Sequence, residues 1–163
     1  MLSYLRRTIP ALVRARLGRD GRLVSHVEGR VGLAQLDLNL HMNQAVYPQL
    51  VELGRVDWLV RSGAWAHWRA QSLNAVVADQ RLVYRRELKL GQRYAIDTRC
   101  VGMDGRLLHM SSLILVGDRV HTRCEVKLIF IGPGGVLSAE EAADSCEGFL
   151  SPPAVVEDWR LVR

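Results

Sequence analysis

Residues 44–62 constrain this chain more than any other stretch. Wound as a helix, they place Val46, Leu50, Leu53 and Val60 on one side and Tyr47, Val51 and Trp58 on another. A helix apolar nearly all round must be enclosed by other structure. Asn43 stands where an N-cap is expected, its side chain accepting from an early backbone N–H. Gly63 stands where a left-handed residue commonly ends a helix.

Strands supply the enclosure. Residues 23–35 read as one strand, with Val27, Val31 and Leu33 on one face. Four more strands are predicted at 74–88, 93–103, 106–116 and 119–131, after a short connection holding Trp65 and Trp68. The last alternates most cleanly: Val120, Thr122, Cys124, Val126, Leu128 and Phe130 face one way, with charged residues and His121 between them. Asp104-Gly105 and Gly117-Asp118 are hairpin signals, so the last three strands form an antiparallel meander. Gly132-Pro133-Gly134-Gly135 closes the sheet, and residues 138–145 read as a short helix. The fold class is α+β: a five-stranded curved antiparallel sheet wrapped around one long central helix. Its open edges invite pairing between copies, which predicts a homodimer.

The bulk properties exclude several classes. A chain of 163 residues with 48% apolar content makes one globular domain with a single core. No uncharged apolar run reaches the roughly 20 residues of a bilayer span. The formal charge of +5 is too mild to choose an anionic partner. Trp58, Trp65 and Trp68 lack interleaved basic residues, so nucleic acid is not expected. Cys100, Cys124 and Cys146 show no metal-ligand spacing, and three reduced thiols suit a cytoplasmic protein without a metal or cofactor. Residues 1–22 form a basic amphipathic segment: Leu2, Leu5, Ile9, Leu12 and Val13 recur between arginines, with Pro10 interrupting. Such a segment can lie on an anionic membrane or pack on its own domain. The domain proper is assigned to 23–132, with a C-terminal extension over 133–163.

Chemistry concentrates just before the long helix. Asp37, Asn39, His41 and Asn43 alternate with apolar residues. A carboxylate and an imidazole at the mouth of a buried helix suit hydrolysis. Asp37 can attack a carbonyl or act as general base for water, and the helix N-terminus can hold an oxyanion. Taken singly, Asp37 also suits a loop Asx-turn, Asn43 a helix cap, and Glu52 a structural ion pair with Arg55. Asp57 and Arg61 form a structural i,i+4 pair. Arg81, Arg85, Arg86 and Lys89 cluster downstream, where guanidinium groups can bind phosphate or merely cover a solvated sheet face.

The pattern Asp37-x-x-x-His41-x-Asn43-x-x-x-Tyr47, followed by Glu52 and Arg55, resembles the 4-hydroxybenzoyl-CoA thioesterase branch of the hotdog superfamily. With Tyr84-Arg85-Arg86 downstream, it is similar to the thioesterase superfamily member 6 group. Three positions depart from the usual pattern: Gln35 replaces an Asp, Leu40 a Gly and Gln44 an Asn. The resemblance implies a hotdog fold over about 24–131 and hydrolysis of an acyl-CoA or acyl-carrier thioester. It implies Asp37 as nucleophile or base, with His41 and Asn43 positioning the substrate. Tyr47, Glu52, Arg81, Arg85 and Arg86 are the implied substrate-binding residues, Glu52 at the neighbouring subunit's site. The open sheet edges leave a homodimer or a dimer of dimers as the expected assembly. The departures motivate an alternative, a non-catalytic module that binds acyl thioesters or lipids.

Overall fold

The computed structural model describes residues 9, 10, 13, 15–18 and 20–151. The expected helical positions Leu2, Leu5 and Leu12, and the tail from residue 152 onward, lie outside the described residues.

Strand β1 (Val24–Arg30) leads through a loop to the long helix α1 (Val46–Arg61) and a short helix α2 (Ala64–Ala70). Strands β2 (Asn74–Tyr84), β3 (Arg93–Asp104), β4 (Leu107–Val116) and β5 (Arg119–Gly132) follow. A two-residue strand β6 (Gly135–Val136) and helix α3 (Ala139–Cys146) complete the described elements. The sheet order is β1-β3-β4-β5-β2, with β6 on β5, and every pairing is antiparallel. This is the hotdog arrangement. Among the described residues the sheet gains β6 beyond the five expected strands.

The meander forms as its turn residues require. Asp104 faces Leu107 and Val116 faces Arg119, leaving the loops 105–106 and 117–118. Gly105 and Gly117 take φ of 59° and 56°, the positive values that a Gly-X hairpin demands of its first residue. In β5 the expected alternation holds from Cys124 to Phe130, with Cys124, Val126, Leu128 and Phe130 buried, but it fails at the start of the strand: the register with β4 slips at His121, so His121 and Arg123 are buried and Val120 is only half-buried.

Four expectations are corrected. The first strand ends at Arg30, which pairs with Arg93 at the start of β3. Its ladder stops because the partner strand runs out, and Leu33–Gln35 becomes a 3-10 turn with Leu33 exposed. Strand β2 ends at Tyr84 rather than 88, because Arg85 and Arg86 both donate their N–H to the one carbonyl of His121. The segment around Trp65 and Trp68 is helical. Gly63, at φ 86°, ends α1 and lets α2 start at once. Finally, α1 is not enclosed all round. Val46, Tyr47, Leu50, Val51, Gly54, Asp57 and Trp58 form one buried stripe, whereas Leu53, Val56, Leu59 and Val60 on its flanks are half-buried. A single sheet covers one side of a helix.

Helix and sheet approach closely at Gly54. A Cβ there would lie 2.5 Å from Thr98 Oγ1 on β3, so any side chain would lift the helix off the strand. Beyond Gly54 the core is aromatic. Trp68 meets Phe130 at 4.8 Å and Trp58 at 6.2 Å between ring centroids, and Phe149 closes over both tryptophans. The indole N–H groups are satisfied, Trp58 donating to the Leu23 carbonyl and Trp68 to that of Ser145.

Asp57 is 2% exposed and fully partnered. Ser25 Oγ donates to it at 2.6 Å, and Arg61 donates through Nε and Nη2 at 3.1 and 3.2 Å. The expected i,i+4 pair is present, and it also ties down the N-terminal arm. Arg61 Nη1 donates to the Gly18 carbonyl at 2.7 Å and lies 3.6 Å from Asp20. Ala15 is fully buried.

Candidate active site

Residues 36–42 form a tight hairpin. Leu36 bridges Met42, Asp37 N–H donates to the His41 carbonyl at 2.8 Å, and Leu40 N–H donates to the Asp37 carbonyl at 3.1 Å. Closing so short a turn puts Leu40 at φ 61°. That is the left-handed region, where a bulky side chain sits at a cost of about 1–2 kcal/mol. The chain thus keeps a glycine-like conformation with a leucine in it, and the side chains of Leu38 and Leu40 point into solvent.

This turn presents Asp37. Its Oδ1 accepts from Asn39 N–H at 2.8 Å and His41 N–H at 3.3 Å. The Asx-turn reading is therefore correct for one oxygen, and Oδ2 takes no hydrogen bond from the described residues. Asp37 is half-buried, so its carboxylate is fixed by the backbone while one face stays reachable.

The hairpin is clamped to the segment after β2. Met42 N–H donates to the Leu88 carbonyl at 2.8 Å, and His41 bridges Lys89. His41 Nδ1 consequently lies 3.3 Å from Glu87 Oε2, and Lys89 Nζ lies 3.3 Å from the other oxygen of Glu87. The buried Tyr47 hydroxyl accepts from Leu88 N–H at 3.2 Å, and its ring meets Tyr84 edge-on at 5.1 Å. Burial raises the Tyr47 pKa, the Leu88 N–H opposes this, and the nearby Tyr84, Glu87 and Asp37 add to the rise. Tyr47 is therefore a neutral phenol at the back of the Asp37–His41–Glu87 group.

Asn43 lies two residues ahead of the N-cap of α1. The helix is capped by Ala45, and Asn43 Oδ1 accepts from Ala45 N–H at 2.9 Å. The N–H groups of Val46 and Tyr47 go to the carbonyls of Asn43 and Gln44, and Pro48 has none. Of the N–H groups at this end of the helix, that of Gln44 has no acceptor among the described residues.

The remaining candidates lie elsewhere. Glu52 and Arg55 are half-buried on α1, and Arg55 is close enough to Cys124 on β5 to act on its thiol. Arg81 is exposed opposite Glu125, on the convex sheet face away from α1. Arg85 and Arg86 are exposed beyond the end of β2, in the segment that leads to Glu87. Glu87 is the residue that sequence reasoning missed. It sits 46 positions from His41, and the isolated bridge between His41 and Lys89, with the Met42–Leu88 hydrogen bond, brings the two together. Clefts of about 510 and 500 Å³, one beside His67 and one beside His26, do not include Asp37, His41 or Tyr47.

Known proteins match this order of elements, and the matched span includes the loop. Residues 31–142 match the thioesterase-like superfamily. The zebrafish (Danio rerio) protein THEM6 is 33% identical over 92 residues, which cover 56% of this chain and 46% of that protein. The chain thus spans about half the length of that relative. Among solved structures, the probable thioesterase YbaW of Escherichia coli superposes with a TM-score of 0.71 at 22% identity, over 78% of this chain and 99% of its own. A thioesterase of Thermus thermophilus complexed with coenzyme A and zinc gives 0.63 at 23% identity, over 82% and 99%. At these identities the structural likeness is one of fold. The sequence match, spanning most of the domain, makes this chain a member of the thioesterase-like superfamily.

Proposed function

We propose that the chain hydrolyses the thioester bond of an acyl-CoA or acyl-carrier substrate, with Asp37 as general base or nucleophile. The observation that carries this reading is the division of labour within one carboxylate. Oδ1 is held by two backbone N–H groups and Oδ2 is left for substrate or water. The Gln44 N–H, at the positive end of α1, is the donor available to a thioester oxygen as it gains charge. In the general-base route Oδ2 takes a proton from water, the hydroxide adds to the carbonyl carbon, and the C–S bond breaks. The thiolate then leaves and is protonated. In the nucleophilic route Oδ2 itself adds to the carbonyl carbon, the C–S bond breaks and the thiolate leaves, and water then cleaves the resulting anhydride to the free acid and the Asp37 carboxylate, the released proton going to the thiolate or to solvent. His41 orients the carbonyl from the other side of the turn, Glu87 holds its imidazole, and Tyr47 lines the site. Asn43 acts by shaping the turn that leaves Gln44 N–H free. Coenzyme A is the preferred thiol, because a structural neighbour was solved with it and because the exposed Arg85 and Arg86 directly precede Glu87 in the chain.

The active unit in this proposal is a homodimer. The edge strand β2 exposes Val76 and Val77, and the flanks of α1 keep Leu53, Val56 and Val60 half-covered. A second copy adding its own β2 edge would cover both. Sedimentation equilibrium should give twice the 18.3 kDa chain mass, and a monomer at catalytic concentrations contradicts this assembly.

Thiol release from acyl-CoAs of increasing chain length tests the activity. Saturable release supports hydrolysis, whereas tight retention of acyl-CoA without release replaces it with the binding-module reading. Trapping with hydroxylamine during turnover separates the two routes, since a hydroxamate derived from an Asp37 anhydride forms only if Asp37 is the nucleophile.

A further inference from the structure

The arm that Arg61 holds against the domain carries a feature that the proposed hydrolysis does not use. Residues 9, 10, 13 and 15–17 are helical. Ile9, Val13 and Leu17 recur at i, i+4 and i+8 and are 52%, 53% and 86% exposed. At about 100° per residue these three fall within one narrow stripe, and Ala15 falls on the opposite side. Ala15 is fully buried against the domain. The helix therefore lies on the protein by its alanine side and turns its aliphatic stripe outward.

The charge of the chain is gathered in the same place. Residues 1–22 hold six arginines and one aspartate, an excess of five. This equals the formal +5 of all 163 residues, so residues 23–163 are neutral overall. Arg16, next to Leu17, is exposed.

We propose that this arm docks the protein on an anionic phospholipid surface, with Ile9, Val13 and Leu17 entering the acyl boundary and the arginines meeting the headgroups. An exposed aliphatic stripe in a segment whose sequence is rich in arginine suits such a surface, because both forces act together there. A second copy of the arm would set five positive charges against five. A nucleic acid would use the arginines and leave the stripe in water. The tether through Gly18, Asp20 and Arg61 makes the docked arm carry the whole domain.

Co-sedimentation of the full chain with vesicles tests this. Protein should pellet with phosphatidylcholine–phosphatidylglycerol vesicles and stay in solution with pure phosphatidylcholine. About 1 M salt should release it, since screening then acts within about 3 Å. The exposed triple substitution Ile9→Ser/Val13→Ser/Leu17→Ser should lower binding about tenfold or more with no change in melting temperature. Arg7→Gln/Arg16→Gln should lower it about fivefold per arginine, which keeps the test informative if the triple variant does not fold. Equal pelleting on neutral vesicles, or none on anionic ones, overturns the proposal. Unchanged binding by the triple variant, with retention on duplex DNA equal to that on lipid, also overturns it in favour of a general polyanion patch.

Discussion

The two ends of α1 are built to opposite rules. At its C-terminal end Trp58, Trp68, Phe130 and Phe149 close on one another, and the polar groups enclosed with them have partners: Asp57 with Ser25 and Arg61, and each indole with a carbonyl. At its N-terminal end Asp37 and His41 are half-exposed beside the buried Tyr47, one turn is strained, and a carboxylate oxygen and an N–H are left unbonded among the described residues. The difference teaches where stability and chemistry reside. Satisfied groups hold a fold together, while groups left unsatisfied at an accessible place are available to a substrate.

Substitutions at each end should therefore fail differently. Trp68→Ala empties the centre of the aromatic end and should cost about 3–5 kcal/mol in chemical unfolding. Any catalytic rate per folded molecule should survive it, and a rate that falls with stability unchanged would break the comparison. Asp57→Ala strands the buried Ser25 hydroxyl and leaves two of the Arg61 donors without their carboxylate, and should cost about 3 kcal/mol. A near-neutral result would mean that Arg61 finds another acceptor.

The thiols sharpen the picture of a sealed interior. Burial pushes Cys124 and Cys146 up to about 12 from an ordinary value of 9.0, and Cys100 rises well above that value too. A raised folded pKa contributes stability that is fully present below the unfolded value and is lost as pH rises through the folded one. Melting temperature should thus fall between about pH 9 and pH 12. A thiol reagent at pH 8 should label none of the three until the protein unfolds. The smallest effect belongs to the open end. Leu40→Gly removes the strain of the left-handed turn and should stabilise by about 1 kcal/mol. Destabilisation by a similar amount would mean that the exposed leucine is held by contacts worth more than the strain.

Much of the frame was legible in the sequence. The period-2 runs and the turn glycines located the strands within a few residues, because alternation and positive φ are local properties. The half-open helix was not legible, since apolar spacing alone does not distinguish a face covered within the chain from one left for a partner. The short helix α2 was hidden because Ala-Trp-Ala-His-Trp-Arg-Ala has neither an amphipathic stripe nor a side-chain cap. Within the site, the spacing from Asp37 to Tyr47 was readable, as it lies in one short segment. Glu87 was not, because it reaches His41 through pairing of residues far apart in the chain. The role of Asn43 was readable in kind and wrong in place: its side chain accepts a backbone N–H, but in the turn ahead of the helix.

The most direct test compares Asp37→Asn with the unaltered chain for both acyl-CoA cleavage and thermal melting. The account predicts a fall in kcat of about 100-fold or more with the melting temperature nearly unchanged, because Oδ1 keeps its backbone bonds and only the reactive oxygen is lost. Equal cleavage rates for the two proteins would contradict it.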